Sequence, residues 1–292
     1  MQRHKYGLTI KASLSRQLAR LCDADHYSLG FPSMDNSRLK IGRAEKHLKE
    51  LKTYLRSNRP FKYCLETNYI SGERATFAKR NEEAANNAAL IIGDVIHNLR
   101  AALDFIYWEC TEKSSKSEGE RAQIKFPITA TEKSLNESVL PGLPARVSTK
   151  FSDALASLKP YREKGGNVKL CAIHDLDIMD KHKLLIPTGN FTEITADEVQ
   201  KYVPDFPPIS GGFGNCAKDV VWSIQPMTWT QRRKSKTPRS GIIVKELKLD
   251  VTTVLNIGEF EFPMSVDVTL AELVAETLRA IEVLYCTCQP QS

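Results

Sequence analysis

No stretch of this 292-residue chain strings together the roughly 20 apolar residues that a bilayer-crossing helix needs. That excludes a helical membrane protein. The opening residues, MQRHKYGLTIKASLSRQLARLC, lack a continuous apolar core and do not read as a secretory signal. They hold five Lys/Arg and no acid before Asp23, and Leu14, Leu18 and Leu21 share one side of a predicted basic helix. No G-x-S-x-G elbow is present, nor a Cys–His–Asn order with the spacing of a known protease family. SGGFGN at 210–215 is rich in glycine but lacks the strand–GxxxxGK[ST]–helix frame of a phosphate loop, so it reads as a turn. Internal repeats and low-complexity segments are absent too.

Cysteine is present but odd in number. Seven are scattered along the chain, mostly singly among apolar neighbours. This distribution predicts reduced thiols and a cytoplasmic protein rather than a disulfide framework. Cys286 and Cys288 lie two apart, which is not the spacing of a zinc knuckle, and read as structural.

Charge is unevenly spread. The first 64 residues hold 14 Lys/Arg against 5 Asp/Glu, and the remainder 27 against 30. A basic segment on a near-neutral body is either a solvated helix face or a contact surface for an acidic partner such as nucleic acid.

The pattern along the chain predicts an α+β fold: a helical core around one long buried helix, then a small antiparallel sheet and a C-terminal helix. Residues 36–58 carry Ile41, Ala44, Leu48, Leu51 and Leu55 at helical spacing, with Ser37 as cap and Pro60 as stop. The long helix runs from Glu82 to Glu112. Ile92, Ile96, Leu99, Leu103, Ile106 and Cys110 form a seam, and Leu90, Val95, Ala101, Ala102, Phe105 and Trp108 cover much of the rest. A helix apolar nearly all round is buried. IKFPI around Phe126 reads as a short strand, residues 131–163 as a helical connection broken by prolines, and 168–184 as a further helix. Val220–Trp229, Gly241–Leu249 and Val251–Phe262 read as strands, with TQRRKSKTPRS as a hairpin loop between the first two. A last helix spans about Thr269 to Tyr285. The expected division is a mainly helical region, 1–190, and a region of antiparallel β hairpin plus C-terminal helix, 191–292.

Two segments could carry chemistry. On the long helix, Asp94, His97, Arg100 and Asp104 lie in IGDVIHNLRAALD. On the 168–184 helix, His174, Asp177, Asp180, Lys181 and His182 lie in CAIHDLDIMDKHKLL. Ionisable groups placed among apolar residues must find partners, because an isolated charge in low dielectric is expensive. The segments are therefore expected to meet. Asp94 with His97, and His174 with Asp177, have the three-residue spacing of carboxylate–imidazole metal ligands on helices, so a divalent metal is one candidate occupant. A satisfied hydrogen-bonded network, with Arg100 and Lys181 neutralising the acids, is the other reading. A separate candidate is the basic run Arg232, Arg233, Lys234, Lys236 and Arg239, near Trp222 and Trp229, which suits phosphate contact.

The string GD-x-x-H-N-L-R-x-A-L-D from Gly93 to Asp104 resembles a family of bacterial proteins of no settled activity. Phe126-Pro127-Ile128, Lys159-Pro160-Tyr161 and the D-K-H at Asp180 to His182 extend that resemblance, over about 80–185. A looser similarity to the HEPN ribonucleases of bacterial defence and toxin systems rests on Arg20 and His26, spaced as R-x4-6-H. It implies a nucleic-acid substrate and a site assembled in a homo-oligomer. The leading expectation is an intracellular bacterial nucleic-acid-associated protein of a defence or mobile-element system. Beside it stand a metal-dependent hydrolase or nuclease, and a non-catalytic scaffold with a buried polar network.

Overall fold

The computed structural model describes residues 34–185, 187–190, 194–204, 206, 215–216, 221–224, 226–234, 241–249, 251–257 and 260–288. Helix α1 spans Asp35–Ser57 and buries Ile41, Ala44, Leu48 and Leu51, the positions that its spacing indicates. Its start differs from the expectation. Ser37 lies buried inside the first turn, and the cap position falls to Met34, which holds a left-handed φ of 51° and whose carbonyl accepts from the Arg38 N–H. Burial of the Met34 side chain in the core offsets that strained backbone.

Two strands that the sequence reading left unassigned come next. β1 (Phe61–Asn68) and β2 (Arg74–Arg80) pair antiparallel. The turn between them is built by Asn68, whose side-chain oxygen accepts from the Ile70 and Ser71 N–H groups, and by Gly72 at φ 84°. Asparagine mimics a backbone turn there, and glycine takes the positive φ without steric cost.

Helix α2 spans Glu82–Thr111 and is the centre of the molecule. Asn81 caps it by accepting from the Ala84 N–H at 3.2 Å, and Glu82 and Glu83 favour the positive end of its dipole. It packs against α1, α4 (Val168–Asp180) and α5 (Val266–Cys288). Phe151 and Leu155 of α3 (Thr149–Ser157) belong to the same core. One expectation about α2 fails. Its seam residues Ile92 to Ile106 are fully buried, but Leu90, Phe105 and Trp108 are exposed, so the helix is not enclosed all round. The open stripe also carries Asp94 and His97.

IKFPI is not a strand. Residues 124–128 form an irregular segment, and Thr129 makes a single parallel bridge to Tyr161. Helix α4 stops at Asp180, four residues before the expected end. After β3 (Thr188–Asn190), a turn of helix at Ala196–Gln200 opens with a capping box between Thr195 and Glu198. Its Val199 joins Tyr63, Val203, Phe206 and Leu247 in a second, smaller core under the first sheet.

The remaining strands are β4 (Asn215–Cys216), β5 (Val221–Ile224), β6 (Ile242–Leu247), β7 (Thr252–Ile257) and β8 (Phe260–Ser265). They form two antiparallel sheets, ordered β5-β2-β1-β6 and β4-β3-β7-β8. The expected hairpin of β5 with β6 is therefore replaced. Those strands lie on opposite edges of one sheet, with β1 and β2 inserted between them. Trp229 is not on a strand but opens a short helix, Trp229–Lys234. The stretch 251–262, expected as one strand, instead divides between β7 and β8, which pair with each other.

The cysteines bring a further correction. Cys110 at the end of α2 and Cys288 at the end of α5 are disulfide-bonded, with Cα atoms 5.8 Å apart, while Cys64, Cys171 and Cys286 are free. Reduced thiols throughout were expected. A bonded pair removes cysteine usage as an argument for a reducing compartment. Among the described residues no helix is long and apolar enough to cross a membrane.

Candidate functional site

Helix α4 begins at Asn167, whose side chain accepts from the Leu170 N–H at 3.2 Å, and buries Leu170, Cys171, Ala172, Ile173 and Leu176 among the core. That orientation carries Asp177 inward as well. It is only 4% exposed. A carboxylate so placed requires partners, and two reach it. His97 of α2 approaches through Nδ1 at 3.1 Å from Oδ1, and Lys181, one turn along, places Nζ 2.6 Å from Oδ2. The two polar segments thus meet, as their burial demands.

The two partners remain accessible, the His97 side chain at 58% and that of Lys181 at 57%. An ionised carboxylate only accepts hydrogen bonds, so Nδ1 of His97 carries the proton and donates it. The lone pair of the neutral ring is then on Nε2. A buried acid, an imidazole fixed by it and an ammonium beside both make the outer half of the network.

The inner half lies deeper, with Arg100 buried and Asp104 partly so. Arg100 is 6% exposed, and its NH2 donates to Asp104 Oδ1 and to the Phe126 carbonyl, both at 2.8 Å. The same Asp104 oxygen accepts from the Phe126 N–H at 2.9 Å. The backbone N–H and carbonyl of one residue are both held, and the irregular segment 124–128 is tied to α2. Burial pushes the Asp104 carboxyl up, against the opposing pull of Arg100 and the Phe126 N–H. Burial also weakens the hold of Arg100 on its proton, with Asp104 and Asp177 acting to restore it. His174 lies beside this pair. Burial, then the Arg100 charge, holds its imidazole below the usual range.

Asp180 stands against Gly93, where any Cβ would overlap its carboxylate. The helix glycine, which costs stability, is thereby the position that lets this acid approach α2. Burial, with Asp177 and Asp94 nearby, pushes Asp180 up. Asp94 and His182 are exposed. Asp175 forms a two-pronged ion pair with Arg162.

The set Asp94, His97, His174 and Asp177 does not converge as metal ligands. Among the described residues no three His, Cys, Asp or Glu side chains are arranged to hold an ion. The physical reason is the register of the helices. His97 meets Asp177, but Asp94 faces solvent and the buried Nδ1 of His174 has no hydrogen-bond partner among the described residues.

In the basic run, Arg233 lies over the Trp229 ring with Cζ 4.9 Å from its centroid, and Trp229 is 64% exposed. Thr228 and Gln231 cap the short helix reciprocally. Arg232 and Lys234 share this helix, whereas Lys236 and Arg239 fall outside the described residues, as do Arg20 and His26. On α1, Arg43, Lys46, Lys49 and Arg56 are exposed.

Sequence reasoning missed the Phe126 peptide as the centre of the Arg100–Asp104 clasp, because a backbone group has no signature in composition. It also missed the disulfide partner of Cys288, 178 residues away. No protein-family model, curated protein or solved structure matches this chain.

Proposed function

We propose that the protein binds single-stranded nucleic acid through the Trp229–Arg233 surface and the basic run that follows it. The observation that carries this reading is an indole left largely open to solvent with a guanidinium stacked on its face. Exposing so much apolar ring serves no core. Bases of a single strand stack on aromatic and guanidinium planes, and duplex bases are not free to do so. Arg232, Arg233, Lys234, Lys236 and Arg239 supply phosphate contacts within ten residues of Trp229, and the basic face of α1 adds to the long-range attraction.

Anisotropy titration of a labelled single-stranded RNA, a single-stranded DNA and a duplex at 50 and 200 mM salt tests it. Single strands should bind at low salt and lose affinity steeply as salt rises. Trp229→Ala should weaken binding by about 1–3 kcal/mol while leaving the melting temperature unchanged, since the ring packs on no core. Absence of binding at 50 mM salt, or an unaffected W229A variant, would overturn the reading.

A further inference from the structure

We infer that the basic segment 8–22 of this chain docks as an amphipathic helix along the open stripe of α2. The inference is independent of the nucleic-acid reading above. It starts from the stripe itself. Steps of three and four residues place Leu90, Asp94, His97, Ala101, Phe105 and Trp108 on one side of the helix. From Leu90 to Trp108 that line runs about 27 Å at 1.5 Å per residue. Leu90, Phe105 and Trp108 are exposed. Apolar side chains left open at helical spacing form a surface that suits another amphipathic helix. The stripe is also acidic. Glu83 and Glu112 extend the same line beyond its two ends, Asp94 lies within it, and no Lys or Arg falls on it. Lys181 borders it but is paired with Asp177.

Position, pattern and charge select the occupant. Residues 1–33 lie outside the described residues and join the fold at Met34. Asn36, in the first turn of α1, donates to Glu109 Oε1 at 3.1 Å. The chain therefore enters beside the C-terminal end of the stripe, at the residue next to Trp108. Within 8–22, Ile10, Leu14, Leu18 and Leu21 recur in steps of four, four and three. As a helix these fifteen positions span about 22 Å, close to the length of the stripe. The link 23–33 reaches up to about 36 Å when extended, enough to seat the helix on it. The segment holds Lys11, Arg16 and Arg20 and no acid.

The rival surface near Met34 is the open side of α1, where Leu39 is exposed. Arg43, Lys46 and Lys49 are exposed on that helix and repel a basic segment, whereas the acids of α2 attract it. Covering the Phe105 and Trp108 rings drives docking, and the opposed charges decide which surface is taken.

Zero-length carbodiimide coupling of the full chain, mapped by peptide mass, tests the inference. Lys5 or Lys11 should join to Glu83, Asp94 or Glu112. A mixture of isotope-labelled and unlabelled chains should give those links within one isotopic species only. Amides of 8–22 should exchange hydrogen more slowly than in a free peptide of the same sequence. Leu14→Asp with Leu18→Asp should abolish both the links and the protection, and so should Phe105→Asp with Trp108→Asp. The first pair lies outside the described core, so it keeps the test open if the second pair fails to fold. Absence of these links, or coupling of Lys5 and Lys11 to other carboxylates only, would overturn the inference. Links between labelled and unlabelled chains would do the same, by showing that the occupant comes from a second copy. Exchange of 8–22 at the free-peptide rate, or protection that survives in a folded F105D/W108D variant, would also overturn it.

Discussion

The Nδ1 atom of His174 is buried and has no hydrogen-bond partner among the described residues. With Arg100 beside it, the folded protein disfavours the imidazolium, and the pKa is lowered. The unfolded chain carries no such penalty. As pH falls from about 7 toward 5, through the ordinary histidine range, the unfolded state takes up a proton that the folded state refuses, and stability is lost. Asp104 and Asp180 have the opposite sign. Their carboxyls are pushed up, so the fold binds a proton more readily than the unfolded chain, and acidification favours it as pH falls toward the carboxylate range. The two effects oppose each other, and replacing the histidine removes only the first. Urea midpoints measured between pH 7 and 5 should therefore fall more, or rise less, for the natural sequence than for His174→Gln, which does not titrate. At this scale the sequence identified which side chains are ionisable and near apolar neighbours, but not their partners. Asp177 and Asp94 look alike in sequence, each one turn from a histidine. One is buried and bound twice, the other faces water.

Helix α2 holds segment 124–128 through Arg100 and Asp104, and it holds α4 through His97. Replacing Arg100 by Met would leave the Phe126 carbonyl without its donor and Asp104 without its counter-charge. Removing one member of a buried pair commonly costs about 3 kcal/mol or more, and the urea midpoint should drop accordingly. His97→Ala, at an exposed position, should not reproduce that drop. A comparable loss in both variants would show that the network is one unit rather than a buried clasp beside an exposed ion pair. The helices themselves were legible because 3.6-residue spacing of Ile, Leu and Ala marks a buried face within a local window, and α1 and α2 begin and end within a residue or two of their expected limits. Strand pairing was not. β1 carries Lys62, Glu66 and Asn68 between its apolar residues, so its core contacts, Tyr63 foremost, depend on neighbours that sequence periodicity does not show.

Across the whole molecule, the Cys110–Cys288 bond joins the ends of the central and last helices and closes 178 residues of separation. A link of that length is expected to stabilise the fold by about 2–4 kcal/mol, largely through the unfolded state. Intact mass under denaturing, non-reducing conditions should be two hydrogens lighter than after reduction, and reduction should lower the denaturation midpoint. An unchanged mass on reduction would mean that the thiols stand side by side unbonded. The α+β class and four of the five principal helices follow from the sequence alone, because each rests on interactions between residues a few positions apart. The meeting of His97 with Asp177, the insertion of β1 and β2 between β5 and β6, the open stripe on α2 and the cysteine pairing were decided only in three dimensions. Each depends on which distant surfaces come to share a boundary, and short-range pattern carries no information about that choice.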